Sequence, residues 1–258
     1  MNIVGIPALT ETYENYIWII HHQQLAWVVD PGESAQVIEY LSDNKLELQG
    51  VLITHGHADH INGLTNLLQN WPNISVYTPT LSAIQGTTHK CAEGDQIKLH
   101  EDIQLTVLDT PGHTLDHIAF YNNNWLFCGD TLFAGGCGRI LGGSAQQFAD
   151  SILKLRELPD NLEFYSAHEY TQTNLTFATI VEPENSLLSE RLANYHTDYP
   201  AILKQPQSSL TLEKATNPFL RFDMEPIKSK LIKRGARDTA ESLFLTLREW
   251  KDEFDRTH

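Results

Sequence analysis

The sequence has few cysteines, no long apolar run and a shortage of basic residues. Its three cysteines, Cys91, Cys128 and Cys137, form a sparse, odd-numbered set that argues against a disulfide framework and fits a reducing cytoplasm. The apolar run Tyr16–Ile20 has the length of a strand and is too short to span a membrane. Because no basic region precedes an apolar core at the N-terminus, we expect no secretory signal and a cytoplasmic protein.

The charge distribution excludes one class of partner and suggests another. The chain has 18 Lys and Arg against 33 Asp and Glu, a formal net charge of −15, which argues against general nucleic-acid binding. Residues 1–170 carry 6 basic and 20 acidic side chains, whereas residues 171–258 carry 12 and 13. The basic residues of the last third are either a solvated helical surface or a cationic patch for an anionic ligand.

Short β-like runs alternate with helical segments up to residue 170, and the pattern then becomes helical. The predicted strands are Ile3–Leu9, Tyr16–Ile20, Leu25–Val29, Leu48–Ile53, Ile74–Tyr77, Gln96–Leu99, Ile103–Leu108, Ile118–Tyr121, Trp125–Cys128 and Leu162–Ser166. The predicted helices are Glu33–Leu41, Asn62–Trp71, Ala145–Leu155, Asn174–Ile180, Ser186–His196 and Thr239–Phe254. No strand is predicted after His168, and a domain boundary near residue 171 separates domains 1–170 and 171–258.

Residues 54–60, Thr-His-Gly-His-Ala-Asp-His, are the most informative stretch of the chain. They follow an apolar run that is typical of a buried strand. Three imidazoles and a carboxylate within six positions are a ligand set for divalent transition metals. His55 and His57 can point one way from an extended loop, while Asp59 and His60 begin a turn that directs them elsewhere, so the spacing favours two metals over one. The alternative, ordinary hydrogen-bonding histidines, would need a partner for every buried polar atom.

Three later segments each place a metal-capable residue directly after a strand, namely His113, Asp130 and His168. Because strand ends of a layered sheet converge, we expect them to meet residues 54–60. The resulting hypothesis assigns His55, His57 and His113 to one metal, Asp59, His60 and His168 to a second, and Asp130 as a bridge. Two divalent ions, most simply zinc although iron or manganese also suits the ligands, would ionise a bridging water that Asp59 orients, which is hydrolytic chemistry.

His55-Gly56-His57-Ala58-Asp59-His60, with the three later ligands, resembles the dinuclear motif of the metallo-β-lactamase superfamily. The resemblance implies an α+β fold over residues 1–170, with two sheets sandwiched between helices (αββα), followed by an all-helical C-terminal domain. The motif is specific for the fold but not for the substrate.

Narrower motifs resemble glyoxalase II, the hydroxyacylglutathione hydrolase family, over nearly the whole chain. These motifs are Gly135–Arg139, Ala167–Thr171, Asn217–Arg221 and Arg248–Lys251. The resemblance implies that Arg139, Tyr170, Arg248 and Lys251 contact glutathione, with the last two holding its glycine carboxylate. Taken alone, Arg248 and Lys251 would be interpreted as a solvated helix face. Leu141 departs from the aromatic residue that the family often carries there, so we expect the detail of peptide binding to differ at this position.

The implied activity is hydrolysis of S-(2-hydroxyacyl)glutathione, typified by S-D-lactoylglutathione, to glutathione and a 2-hydroxy acid, by a monomer that binds neither nucleic acid nor membranes. Cys137 could serve as a metal-adjacent thiol or nucleophile, although a small buried residue is the simpler interpretation. Two alternatives stay open, a mononuclear iron dioxygenase acting on glutathione persulfide and a non-catalytic metal-binding domain. Oxygen uptake and metal content measured beside turnover would distinguish them.

Overall fold

A computed structural model describes residues 1–257. One sheet has the spatial order β1-β2-β3-β4-β5-β6, antiparallel from β1 to β3 and parallel from β3 to β6. Its strands are β1 (Asn2–Ala8), β2 (Asn15–His22), β3 (Leu25–Val29), β4 (Glu47–Leu52), β5 (Ser75–Pro79) and β6 (His89–Cys91).

The second sheet has the order β14-β13-β10-β9-β8-β7, and a separate hairpin pairs β11 with β12. The strands are β7 (Gln96–His100), β8 (Ile103–Asp109), β9 (Ile118–Tyr121), β10 (Trp125–Phe127), β11 (Leu132–Phe133), β12 (Gly136–Cys137), β13 (Glu163–Tyr165) and β14 (Ser208–Ser209).

Helices cover the outer faces of both sheets. They are α1 (Ala35–Asp43), α2 (Ala58–Ile61), α3 (Leu64–Asn70), α4 (Ala145–Arg156), α5 (Thr171–Val181), α6 (Ser186–Asn194), α7 (Leu210–Thr216), a 3₁₀ turn (Pro218–Leu220), α8 (Ile227–Lys233) and α9 (Ala240–Asp255). Within residues 1–257, no helix has both the length and the apolar composition needed to cross a membrane.

Successive side chains of a strand point to opposite faces of its sheet, and this alternation explains how the layers pack. In β2, Trp18 and Ile20 face the core between the two sheets, while Ile17 and Ile19 face the core beneath α1 and α3. Both faces are buried, so the strand is apolar nearly throughout. A third core lies between the second sheet, α4 and the C-terminal helices. The αββα sandwich with a helical C-terminal region is therefore confirmed.

The C-terminal region packs against the sandwich and forms backbone hydrogen bonds with both of its sheets. Phe148 of α4 packs against Phe244 of α9 with ring centroids 5.1 Å apart, inside the third core. β14 pairs antiparallel with β13, and Leu203 exchanges backbone hydrogen bonds with Gly5 of 2.7 and 2.8 Å. The expectation of no strand after His168 was therefore wrong, because a two-residue strand is too short to show a periodic pattern.

Two elements in the N-terminal half have different bounds from those predicted. The strand predicted over Tyr16–Ile20 is longer, because β2 continues to His22, which pairs with Leu25. The helix predicted over Asn62–Trp71 is the shorter α3, and a separate turn of helix, α2, precedes it. The break between α2 and α3 falls at Gly63, whose backbone N–H donates to the Pro31 carbonyl at 2.8 Å.

Candidate metal centre and adjoining cavity

Four segments that follow strand ends meet at one edge of the sandwich. β4 leads into residues 55–60, and β8, β10 and β13 lead into His113, Asp130 and His168. β10 pairs parallel with β13, and both β8 and β10 are antiparallel to β9, so β8, β10 and β13 end at the same edge. The packing of the two sheets then brings this edge against the end of β4.

The geometry of residues 55–60 agrees with the predicted change of direction. His57 has extended backbone angles, φ −69° and ψ 149°, and is the N-cap of α2, so Asp59 and His60 lie in the first turn of that helix. The turn after β3 packs closely on this helix, because a Cβ on Gly32 would lie 1.9 Å from the Asp59 carbonyl oxygen. A side chain at position 32 would therefore push Asp59 out of place.

One group of donor atoms is formed by His55, His57, His113 and Asp130. The Nδ1 atom of His57 lies 3.0 Å from Nε2 of His55 and 3.0 Å from Nε2 of His113. The Oδ2 atom of Asp130 is 3.3 Å from Nε2 of His113. All these atoms lie within 4.8 Å of one another, so they converge on a single point.

The second group contains Asp59, His60 and His168. The Oδ2 atom of Asp59 lies 3.3 Å from Nε2 of His60 and 3.6 Å from Nε2 of His168. The other carboxylate oxygen of Asp130, Oδ1, is 3.4 Å from Nε2 of His60 and 3.1 Å from Nε2 of His168. Asp130 thus directs one oxygen to each group, which is the position that the bridging hypothesis requires.

Hydrogen bonds on the outer ring nitrogens orient the imidazoles. Nδ1 of His113 donates to the Arg139 carbonyl at 2.8 Å, and Nδ1 of His168 donates to the Tyr13 carbonyl at 2.7 Å. Nδ1 of His60 lies 3.0 Å from Asp30. A carbonyl acceptor fixes the protonated nitrogen, so Nε2 of His113 and His168 presents a lone pair to the centre. Metal-binding histidines in proteins are oriented in this way.

The donor set fits divalent metal ions. His60 Nε2 and Asp130 Oδ1 are buried without a hydrogen-bond partner among the described residues, although they lie 3.4 Å apart. Unpartnered buried polar atoms are rare and call for an explanation. In a tetrahedral zinc site the ligand atoms are about 3.3 Å apart, given Zn–N distances of about 2.0–2.1 Å. The observed separations of 3.0–3.6 Å are close to this spacing.

The electrostatics of the site favour a positive charge at its centre. Burial opposes ionisation of Asp130, but the neighbouring His168 and His60 outweigh burial and hold the pKa of Asp130 well below its usual range. Burial likewise opposes the charged form of His60, yet Asp130 and Asp30 raise its pKa well above the ordinary value. Burial lowers the pKa of His55, so this imidazole stays neutral. Histidine binds metals as the neutral imidazole, so a bound metal ion would replace the proton of His60 and supply the positive charge that Asp130 and Asp30 stabilise.

Several residues that support the centre were not identified from the sequence. Asp30 accepts hydrogen bonds from Thr54 N (2.7 Å) and Thr54 Oγ1 (2.6 Å) and also contacts His60. His117 stacks on His55 with ring centroids 4.8 Å apart, and its Nε2 accepts the Asp130 N–H at 3.0 Å. Both residues adjoin strand ends, which is the signal that could have identified them.

A cavity of about 440 Å³ opens beside the two donor groups. Its lining includes all four residues that the resemblance assigned to glutathione, namely Arg139, Tyr170, Arg248 and Lys251. The Tyr170 ring stacks on His168, with centroids 4.9 Å apart and planes 3° apart. Arg139 lies at the rim with its side chain 64% exposed.

Arg248 and Lys251 are not a solvated helix face, since their side chains are only 3% and 6% exposed. Arg248 Nη1 donates to the Cys137 carbonyl at 2.8 Å, so this residue also holds a loop beside the metal centre. Asp255 forms an ion pair with Lys251 and lies 3.4 Å from Arg248 Nη2. The two cations are therefore already neutralised in part by a carboxylate that lines the same cavity.

Cys137 and Leu141 both line the cavity but differ in exposure. Burial raises the pKa of the Cys137 thiol to about 12, with Arg248 acting in the opposite direction, so the thiol stays protonated near neutral pH. This state disfavours the nucleophile interpretation. Leu141 is 63% exposed at the cavity rim, where an aromatic ring would have offered a larger contact.

Two family models divide the chain between them. Residues 10–168 match the metallo-β-lactamase superfamily model, and residues 169–254 match the hydroxyacylglutathione hydrolase C-terminus model. A hydroxyacylglutathione hydrolase of Hydrogenovibrio crunogenus is 43% identical over 265 residues, covering 100% of this chain and 97% of that protein. One from Nitrosomonas europaea is 44% identical over 244 residues, covering 93% of each.

The chain belongs to the hydroxyacylglutathione hydrolase family. The family assignment made from the sequence motifs is therefore confirmed.

Solved structures show the same fold at lower identity. ETHE1 from Myxococcus xanthus has a TM-score of 0.63 at 21% identity, covering 96% of this chain and 97% of that one. The BLEG-1 B3 metallo-β-lactamase has a TM-score of 0.62 at 21% identity, covering 84% of this chain and 99% of that one. At this level of identity the likeness concerns the fold alone.

Proposed function

We propose that this enzyme hydrolyses S-(2-hydroxyacyl)glutathione, such as S-D-lactoylglutathione, to glutathione and a 2-hydroxy acid such as D-lactate. The reaction would be the second step of methylglyoxal detoxification, in the cytoplasm. The observation that carries the proposal is a single cavity lined by both metal-donor groups and by Lys251 and Arg248. The family names of the full-length relatives support the same substrate class.

We assign His55, His57 and His113 to one metal, Asp59, His60 and His168 to a second, and Asp130 to both. Zinc is the first choice, with iron or manganese compatible with the same donors. Such ions, when bound, supply an ionised water at neutral pH and polarise the thioester carbonyl. Water adds to the acyl carbon, the carbon–sulfur bond breaks, and glutathione leaves with its sulfur as thiolate.

Asp59 is suited to orient the attacking water. The Nδ2 atom of Asn15 donates to the Asp59 carbonyl at 3.2 Å and to Asp59 Oδ2 at 3.3 Å, which fixes the direction of this carboxylate. Burial opposes ionisation of Asp59, but its hydrogen bond with His60 prevails and lowers the pKa of Asp59 to about 2. The carboxylate is therefore an acceptor throughout the neutral range.

The helical side of the cavity would bind the peptide part of the substrate. Lys251 and Arg248 provide charge for a terminal carboxylate, and Arg139 and Tyr170 line the path from this end to the metal centre. These contacts are remote from the reacting carbon, so their main effect is to hold the thioester in place. The division into a metal domain, residues 1–170, and a glutathione-binding domain, residues 171–258, is part of this proposal.

The experiment compares S-D-lactoylglutathione with a lactoyl thioester of a small thiol that lacks the peptide. We expect efficient hydrolysis of the first and a large loss of kcat/KM with the second. Absence of hydrolysis of the glutathione thioester by metal-loaded protein would refute the proposal. Oxygen consumption with glutathione persulfide would instead support the dioxygenase alternative, which the two complete donor groups and the match to the C-terminal family model disfavour.

A further inference from the structure

Residues 130–139 form one wall of the metal centre, contain one of its proposed ligands and contact two others. The segment begins with Asp130 itself and ends with Arg139, whose carbonyl accepts the hydrogen bond of His113. Between them, the Phe133 ring packs edge-on against His168 with centroids 5.5 Å apart. The position of this segment therefore affects ligands of both donor groups.

The segment also folds tightly on itself. A Cβ on Gly138 would lie 2.0 Å from the Asp130 carbonyl oxygen and 3.1 Å from Nδ1 of His113. The hairpin of β11 and β12 lies between these two points. Since the segment packs this closely, a displacement of the hairpin would be transmitted to Asp130 and His113.

Side chains of the helical region hold the backbone of this hairpin. The Nδ2 atom of Asn217 donates to the carbonyls of Phe133 and Gly136, each at 3.0 Å. Glu213 Oε2 accepts the Gly135 N–H at 2.9 Å. Two further anchors come from Asn174, which donates to the Ala134 carbonyl at 3.2 Å, and from Arg248, which donates to the Cys137 carbonyl at 2.8 Å.

Glu213 and Asn217 are themselves fixed by a buried network. Both residues are 0% exposed. Glu213 Oε1 pairs with Arg191 at 2.5 Å, its Oε2 accepts from Asn217 Nδ2 at 2.9 Å, and Asn217 Oδ1 accepts the Phe219 N–H at 3.0 Å. Buried polar groups are costly unless they are fully bonded, so such a network favours one arrangement of the atoms that it contacts.

We propose that Glu213 and Asn217 are positioning residues for the metal centre. They act through residues 130–139, so the helical region sets the metal affinity as well as contributing to the substrate cavity. The inference rests on the metal centre of the proposed function but not on the identity of the substrate.

The test compares Asn217→Ser with Glu182→Gln. Glu182 is also buried, at 4% exposure, and pairs with Arg221 at 2.7 Å inside the helical region without bonding to residues 130–139. Zinc affinity is measured by competition with a chromophoric chelator, beside the melting temperature and the kinetic constants. We expect Asn217→Ser to weaken zinc binding by about 10-fold, the lower end of the range for residues that bond a metal ligand directly, and to lower kcat with KM little changed. Glu182→Gln should lower the melting temperature but leave zinc affinity within about twofold of the native value.

Equal zinc affinities in the two variants would overturn the proposal. If Asn217→Ser does not fold, Glu213→Gln changes the other proposed residue, alters the anchor on the Gly135 N–H and decides the question. It should weaken zinc binding several-fold, and an unchanged affinity would overturn the proposal. Because the chelator measurement needs no thioester, a failure here is distinguishable from a failure of the proposed hydrolase activity.

Discussion

The two sides of the cavity are organised in different ways. On the metal side, His60, His113 and His168 each have the outer ring nitrogen bonded to a protein oxygen, and the inner atoms converge. On the helical side, Lys251 is paired with Asp255, and Arg139 is largely exposed. The metal side is pre-organised for one geometry, whereas the helical side carries charges that a substrate must rearrange.

This difference predicts different kinetic effects on the two sides. Changes on the metal side should reduce metal affinity and kcat, because they alter atoms near the reacting carbon. Changes on the helical side should act mainly on KM, because remote contacts stabilise the bound substrate and its transition state alike.

The largest effect is expected for Asp130→Ala, because Asp130 contacts both donor groups. The change should lower kcat by more than about 100-fold and reduce the bound metal, since loss of a supporting partner alone costs about 10- to 100-fold. Metal analysis and thioester kinetics provide the measurement, with circular dichroism to verify folding. Native metal content and a rate within tenfold of the native enzyme would contradict the bridging role.

Asp30→Asn tests whether the residues that bond the outer ring nitrogens of the histidines contribute to metal binding, as the comparison of the two sides requires. The amide removes the carboxylate that orients His60 and should weaken metal binding by about 10- to 100-fold. Asp95→Asn is the matched control, because Asp95 accepts the Ala92 N–H at 2.9 Å on an exposed turn away from the centre. If both variants retain native metal affinity, the orientation of His60 does not depend on Asp30.

Lys251→Ala examines the helical side with the cation whose side-chain hydrogen bond goes to Asp255 rather than to residues 130–139. It should raise KM for the glutathione thioester about tenfold with kcat little changed, as expected for one charge-assisted hydrogen bond. Lys228→Ala is the control, since Lys228 is ion-paired with Asp238 on the surface at 2.7 Å. A fall in kcat with constant KM would instead connect Lys251 to the chemical step. The double change with Arg248→Ala should also raise KM, but Arg248 additionally holds the Cys137 carbonyl.

Asp255→Asn should have the smallest effect, and it should lower KM rather than raise it. Removing this carboxylate frees Lys251 for the carboxylate of the substrate, while Arg248 keeps Asp252 at 3.1 Å, so KM should fall about two- to fivefold, the range expected for a partly exposed ion pair. A substrate with an amidated glycine carboxylate should show no such gain. A rise in KM would mean that Asp255 orients the cations rather than competing for them.

The sequence was most informative where metal-capable residues directly follow a strand. The 55–60 stretch, His113, Asp130 and His168 each follow a strand, and strand ends can be recognised from apolar periodicity, so their convergence was predictable. The αββα layers follow from the same alternation, as in β2.

Other parts depend on contacts that no local pattern encodes. Asp30 carries no local sign of a role at the centre, and its contact with His60 exists only because β3 lies beside β4. β11, β12 and β14 are two residues long each, too short for a periodic signal. Arg248 also donates a hydrogen bond to the Cys137 carbonyl. This contact requires α9 to pack beside Cys137, which only the tertiary structure shows.

The most direct test of the central claim is a metal titration of chelator-treated protein, followed by thioester turnover. The account predicts loss of S-D-lactoylglutathione hydrolysis on metal removal and recovery that saturates near two divalent ions per chain, as two donor groups require. Full hydrolysis by metal-free protein would contradict it.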